Sequence, residues 1–238
     1  ALDGTLTYQP YGKEDQAIYS VSRGGLNQKL MNLADNYPSI SYHFNRKCQD
    51  VNLDTNMLTF DNSETKKTEQ HQFDKIFASD GAFSAVRIRM QKSAVFDFSQ
   101  KYLDHAYKEL VIPANEDGTH KLDKNCLHIW PRGEFMMIAL ANLDGSFTCT
   151  LFFPLKGEKS FEALTTPDEV AAFFNKTFPD AVELMPTLIA DYFENPTSKL
   201  IMVRAQPWNY KDDIVLIGDA AHAFVPFYGK GMNCGFED

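Results

Sequence analysis

The sequence predicts a mixed α/β fold with an antiparallel, β-rich part inserted between two stretches of α/β character. Two short apolar runs, at 73–78 and 214–217, each lead into a turn that sets an acidic residue beside a glycine, Asp80-Gly81 and Gly218-Asp219, and each is followed by a helical or tight-loop pattern. Between them, from Phe96 to Phe153, aromatic and β-branched runs alternate with turn residues, which is the texture of an antiparallel sheet. Apolar residues at helical spacing flank that block, at Leu26, Leu30, Leu33 and Ala34 and again from Val170 to Phe178. The expected division is 1–95 and 206–238 for the α/β part and 96–205 for the β-rich part with its helices.

In chain order, 5–9 and 40–44 are expected as short strands, and Ser22 as the N-cap of the first helix. Residues 51–60 predict a hairpin around Asp54-Thr55-Asn56, and the polar stretch 61–72 an exposed turn with a strand edge. Residues 73–78 form the strand before Asp80-Gly81, and a helical pattern follows with Ser84 and Arg87 one turn apart. Strands are expected at 102–111, 126–130, 135–140 and 147–153, separated by turns such as Pro131-Arg132-Gly133 and Asp144-Gly145. Thr166-Pro167-Asp168-Glu169 carries helix-start chemistry, with a proline at the first helical position, and a further helix is expected over 184–193. The run 201–205 returns the chain to strand.

Composition excludes several classes of function. With 23 Lys plus Arg against 32 Asp plus Glu, the net charge is −9 and no basic run exceeds Lys66-Lys67, so a nucleic-acid partner is not expected. No stretch approaches the roughly 18–20 apolar residues of a membrane span, and the chain reads as water-soluble. Cys48, Cys126, Cys149 and Cys234 show no paired spacing and the six histidines no ligand spacing, so no metal is expected and the cysteines read as free thiols. The chain begins at Ala1 and stops at Asp238 within a helical pattern, which reads as a fragment of a longer protein.

The stretch from Gly218 to Asp238 concentrates the chemistry. Asp219 falls just past the carboxyl end of a predicted buried strand, where α/β sheets bind cofactors. Pro226, Gly229, Gly231 and Gly235 around Met232 and Asn233 read as a tight loop feeding a helix, whose free amides suit an anionic group and whose glycines let a flat ligand approach. This is the pattern of half a flavin site. Asp219 also reads as a helix N-cap, and both roles can hold together. Arg23, in a first helical turn where the helix dipole disfavours a cation, suggests an anionic partner or a solvated side chain.

Gly218-Asp219-Ala220-Ala221-His222 with Pro226 and the downstream Gly-x-Gly-Met-Asn-x-Gly resemble the second FAD fingerprint of the single-component aromatic hydroxylases, which have the p-hydroxybenzoate hydroxylase fold. Asp80-Gly81-x-x-Ser84-x-x-Arg87 resembles their Asp-Gly motif. Within that group, the stretches 19–23, 127–132, 135–140, 146–152 and 225–227 are similar to the kynurenine 3-monooxygenase family, and the resemblance runs from about Tyr11 to Asp238. It implies a Rossmann-like FAD-binding part lacking its first βαβ unit, with an inserted antiparallel substrate domain. The implied reaction is hydroxylation of L-kynurenine to 3-hydroxykynurenine with NADPH and O2, through a flavin C4a-hydroperoxide, in tryptophan catabolism. The flavin carries the chemistry, so no side chain is expected to be catalytic.

By the same resemblance, Arg23, Cys48, Asp80, Gly218, Asp219, Pro226, Gly229, Gly231, Met232 and Asn233 are cofactor-binding. Asp219 would accept from the ribityl hydroxyls, and the amides around Gly231, Met232 and Asn233 would face the pyrimidine end of the flavin. Tyr11 would bind the substrate carboxylate, unless it is an exposed turn tyrosine, and Phe227 would pack over the substrate ring. Ile129 and Phe135 would supply an apolar wall, although core packing explains them equally. The first Gly-x-Gly-x-x-Gly fingerprint would lie upstream of Ala1. A membrane anchor, placing eukaryotic members at the cytosolic face of the mitochondrial outer membrane, would lie beyond Asp238. Lys230 and Tyr228 stand where the family usually has Gln and Phe, which leaves open a flavin hydroxylase of another aromatic substrate. A fragment unable to hold FAD is the remaining reading.

Overall fold

The structure, a computed structural model, describes residues 5–10, 12, 13, 16, 20, 21, 23–93 and 95–238, with only the backbone of Arg23 and Tyr228. Its elements run α1 (Arg23–Ala34), β1 (Arg46–Asn52), β2 (Met57–Asn62), β3 (Thr68–Gln72), β4 (Ile76–Ala78), α2 (Ala85–Met90) and β5 (Asp97–Ile112). There follow β6 (His128–Arg132), β7 (Phe135–Ala141), β8 (Phe147–Pro154), α3 (Pro167–Thr177), α4 (Pro179–Val182) and α5 (Leu188–Glu194). The chain closes with β9 (Ser198–Gln206), β10 (Asn209–Tyr210), β11 (Ile214–Leu216), β12 (His222–Ala223) and α6 (Gly231–Glu237). The mixed α/β class with an antiparallel sheet is as the sequence predicts.

Four expected elements differ. Residues 5–9 and 40–44 are not strands. Extended, alternating residues become a strand only beside a backbone that accepts their ladder, and here Asn45 at φ 59° turns the chain away directly after Phe44. The predicted strand at 73–78 is limited to Ile76–Ala78, because the Phe73 amide is bound to the Asn56 carbonyl in the preceding sheet. The helix expected over 184–193 starts only at Leu188, as α5, two residues after Pro186, which cannot donate a helical hydrogen bond. Ser22 lies outside the described residues. Among the described residues no helix is long and apolar enough to cross a membrane.

The chain forms two compact units, Ala1–Ile40 with Asp104–Lys199, and Ser41–Leu103 with Leu200–Asp238. In the first, β5, β8, β7 and β6 pair antiparallel in that order. Alternation puts Leu110, Trp130, Met137, Cys149, Leu151 and Phe153 on one face, where they form a core with Val170, Phe174, Phe178, Met185 and Tyr192 of the helical layer. Aromatic edges interlock there, with Phe135 and Phe153 at 4.9 Å and Phe153 and Phe173 at 4.9 Å between centroids.

Two polar side chains entering this core are paired. Trp130 Nε1 donates to Asp180 Oδ2 at 2.7 Å, and Lys108 Nζ donates to the carbonyls of Tyr192 and Asn195, each at 2.7 Å. Those carbonyls close the C-terminal turn of α5, where a cation is favoured, and burial pulls the Lys108 pKa down. The capping box at α3 is complete: Glu169 N–H donates to Thr166 Oγ1 at 3.4 Å, and Thr166 N–H donates to Glu169 Oε2 at 2.9 Å. Thr166→Ala is expected to cost about 1 kcal/mol in thermal or urea unfolding, the ordinary value of an N-cap hydroxyl.

In the second unit, β1, β2 and β3 form an antiparallel sheet, and β10, β11 and β4 a small mixed one. The hairpin turn falls at the residues expected, with Asn56 at φ 53°. Two of the strands, β4 and β11, run parallel in the register Ile76 to Ile214, Phe77 to Val215 and Ala78 to Leu216. Their inward residues Ile76, Ala78, Ile214 and Leu216 pack with Val51 of β1, Ala220 and Ala221, and with Val86 and Met90, which share one face of α2. A bidentate Arg89–Asp50 ion pair ties α2 to β1.

Candidate cofactor site

The parallel register decides the geometry of the site. Since Ala78 lies opposite Leu216 and Ile217 N–H donates to the Ala78 carbonyl at 3.0 Å, the next residues of each strand leave the sheet together at its carboxyl end. Asp80-Gly81 and Gly218-Asp219 are therefore neighbouring turns at the end of a parallel pair, the position at which α/β sheets hold ligands.

Each turn is built from its own residues. Asp80 Oδ2 accepts from the Ala85 amide at 2.7 Å and more weakly from Val86 at 3.4 Å, and Ser84 Oγ accepts from the Arg87 amide at 2.9 Å. Together they satisfy the open amides at the start of α2. The fully buried Arg87 then joins the two turns: Nη1 donates to the Ala220 carbonyl at 2.7 Å and Nη2 to the Ala82 carbonyl at 2.5 Å. Its guanidinium carbon lies 5.1 Å from the centroid of Phe98. Burial lowers the Arg87 pKa and the charge of Asp80 opposes that shift.

Asp219 differs from Asp80. It sits inside a 3₁₀ turn, Gly218–Ala220, whose N-cap is Ile217, and its exposed carboxylate accepts no hydrogen bond from the described residues. The N-cap role expected for Asp219 is thus absent, and the carboxylate stands available to a ligand. Gly218 adopts φ 58°, and a Cβ on Gly235 would come within 3.3 Å of the Gly218 Cα, so the two glycines let α6 lie directly against the turn. A second 3₁₀ turn, Pro226–Tyr228, ends at Gly229 with φ 61°, and α6 begins after it. No side chain caps α6, and the amides of Gly231, Met232 and Asn233 donate to no acceptor among the described residues. A Cβ built on Gly229 or Gly231 meets nothing within 4 Å, so this loop presents open backbone. An exposed acceptor, free amides and open glycine backbone are what a flat ligand carrying hydroxyls and carbonyl oxygens requires.

Cys48 is half-buried in β1 against the Val51 cluster. Burial, then the charge of Asp80, pushes its thiol up to about 11. It is a neutral thiol beside the Asp80 turn rather than a nucleophile. At pH 8 its alkylation is expected to run roughly a hundredfold slower than that of an ordinary cysteine, measured by iodoacetamide labelling and peptide mass spectrometry, and faster in Asp80→Asn.

The remaining expected site residues are distributed as follows. Phe227 is in the Pro226–Tyr228 turn and exposed. Arg23 begins α1, its side chain outside the described residues, as is the whole of Tyr11. Ile129 and Phe135 lie on opposite faces of their sheet. Phe135 is buried among Phe153, Phe173 and Phe178, whereas Ile129 is 52% exposed on the face away from the helices, paired with Ile138. One flat ligand cannot touch both. The strand β7 turns Met136, Ile138 and Leu140, not Phe135, toward the face of Ile129. The run Phe135-Met136-Met137-Ile138-Ala139-Leu140 is apolar throughout, so it carries no alternation from which that face could be chosen.

An α/β part with paired strand–acid–glycine turns, joined to an antiparallel sheet, defines a flavin-binding class of protein, and the chain belongs to the FAD binding domain family, whose model matches residues 16–238. Among curated relatives, the kynurenine 3-monooxygenase of Flavobacterium johnsoniae is 55% identical over 98% of this chain and 52% of its own length. The kynurenine 3-monooxygenase of Dictyostelium discoideum is 49% identical over 100% of this chain and 51% of its own. The chain spans about half the length of the curated relatives it matches. Solved structures share the fold at low identity. A 2-methyl-3-hydroxypyridine-5-carboxylic acid oxygenase superposes with a TM-score of 0.66 at 19% identity, covering 88% of this chain and 53% of that one. Klebsiella pneumoniae HpxO, solved with FAD and uric acid, gives 0.63 at 18% identity, covering 91% and 52%.

Proposed function

We propose that this chain supplies the flavin-ring and ribityl seat of an FAD-dependent monooxygenase that hydroxylates L-kynurenine to 3-hydroxykynurenine. The observation that carries the reading is the parallel pairing of β4 with β11, which brings the Asp80 and Asp219 turns side by side with Arg87 bonded to both. The names of relatives at up to 55% identity support the substrate.

When bound, FAD accepts hydride from NADPH and activates O2. The residues of the chain position it and shape its surroundings. Asp219 accepts from the ribityl hydroxyls, a contact its free carboxylate can make without breaking another. Gly231, Met232 and Asn233 direct amides at the pyrimidine edge, where reduction accumulates negative charge. Gly218, Pro226 and Gly229 keep the backbone low enough for a flat ring. Asp80 and Cys48 support the cofactor region, and Arg23 meets its phosphates. Tyr11 binds the substrate carboxylate, Phe227 covers its ring, and Ile129 with Met136, Ile138 and Leu140 forms an apolar wall. In this division by role, 1–95 and 206–238 serve mainly the cofactor, with Tyr11 and Phe227 reaching the substrate, and 96–205 serves the substrate; in a eukaryote the whole protein resides at the mitochondrial outer membrane.

Fluorescence titration with FAD tests the seat: quenching of free flavin at micromolar chain is expected, and its absence rejects the reading. For the whole protein, kynurenine should accelerate NADPH oxidation and yield 3-hydroxykynurenine. Hydroxylation of hydroxybenzoates in place of kynurenine would retain the flavin and reject the substrate.

A further inference from the structure

We propose that Asp238 and His222 are positioning residues, a clasp that holds α6 against the Gly218 turn and so sets Asp219 in register with the Gly231–Asn233 amides; this rests on the flavin reading above. The Asp238 carboxylate accepts from the Gly218 amide at 2.6 Å and is bonded by His222 Nε2 at 2.8 Å and 3.0 Å to its two oxygens. Both side chains are nearly enclosed, at 11% exposure for His222 and 10% for Asp238.

The chemistry of the pair is well defined. A carboxylate only accepts, so Nε2 carries the proton, and the imidazole Nδ1 is buried without a hydrogen-bond partner. The ring is held between Trp208 at 5.0 Å and Phe224 at 5.1 Å, centroid to centroid. Burial works against ionisation of Asp238, and the Gly218 amide and His222 outweigh it, keeping the carboxyl below its ordinary value.

The mechanical consequence follows from connectivity. Asp238 directly follows α6, Gly218 directly precedes Asp219, and the Gly218–Gly235 approach leaves no side chain between them. The clasp therefore connects the helix whose first amides face the ligand, about two turns along it, to the residue next to the ligand-binding carboxylate. Neither Asp238 nor His222 is assigned a flavin contact, so both act through the elements they join.

Two measurements test this, one without flavin. Asp238→Ala is expected to speed amide hydrogen exchange across 234–237 at least about tenfold, with β1 and β2 unchanged, and to weaken FAD binding at least about tenfold, as for loss of charge-assisted hydrogen bonds. His222→Gln, which restores an N–H donor, should retain both within about threefold. Should the alanine variant fail to fold, Asp238→Asn keeps the shape and is expected to move both readouts in the same direction. Unchanged exchange in 234–237, or faster exchange with native FAD affinity, overturns the proposal. If the native chain takes up no FAD, the flavin reading falls and the cofactor role of the clasp with it, while the exchange result still decides whether Asp238 secures α6.

Discussion

Replacing Arg87 by alanine is expected to destabilise the unit that contains it by about 3–5 kcal/mol, because it leaves one buried and one part-buried carbonyl unpaired and opens a cavity at once. Arg87 is fully buried, and its guanidinium serves the Ala82 and Ala220 carbonyls, one in each ligand-facing turn. Without it, the buried Ala220 carbonyl and the part-buried Ala82 carbonyl both lose their donor, and Phe98 loses the cation it packs against. Arg87→Lys is expected to recover less than half of the loss, since an ammonium lacks the planar fork that reaches two carbonyls in different directions. Urea unfolding measures both. A loss below about 1 kcal/mol in the alanine variant would show that the two turns hold their places without this tie.

Asp219→Ala is expected to separate binding from stability. FAD affinity should fall roughly 30- to 100-fold, the scale of charge-assisted hydrogen bonds lost from a ligand's hydroxyls. Stability should stay within about 0.5 kcal/mol, because the carboxylate is exposed and accepts no hydrogen bond from the described residues. Flavin fluorescence titration beside thermal unfolding gives both numbers. An equal loss in both would mean that Asp219 shapes its turn rather than meeting the ligand. Opposite signatures are thus expected from two residues of neighbouring motifs: Arg87 acts on the frame and Asp219 on the ligand.

Much of the architecture was legible where the signal is local. The Thr166 capping box, the hairpin at Asp54–Asn56, the strands of the β-rich part and the two strand–acid–glycine turns all rest on spacing within a few residues, and the structure contains each. Where local pattern was read without a partner it misled, as at 5–9 and 40–44, since alternation does not reveal whether a neighbouring strand exists. The face that Phe135 takes was not legible for a related reason. In β7 both faces are apolar, and only the pairing of Ile129 with Ile138 tells which side lies away from the helices.

Residue types and short spacings in the sequence were thus enough to determine the mixed α/β class, the antiparallel block and the two strand–acid–glycine turns. Three things came only from the tertiary structure: that β4 and β11 are parallel neighbours, that Arg87 reaches Ala220 across 133 positions of chain, and that Asp238 closes back on Gly218 and His222. The physical reason is that local backbone preferences and turn chemistry are set by adjacent residues, whereas a buried hydrogen bond between distant segments depends on how the core has brought them together.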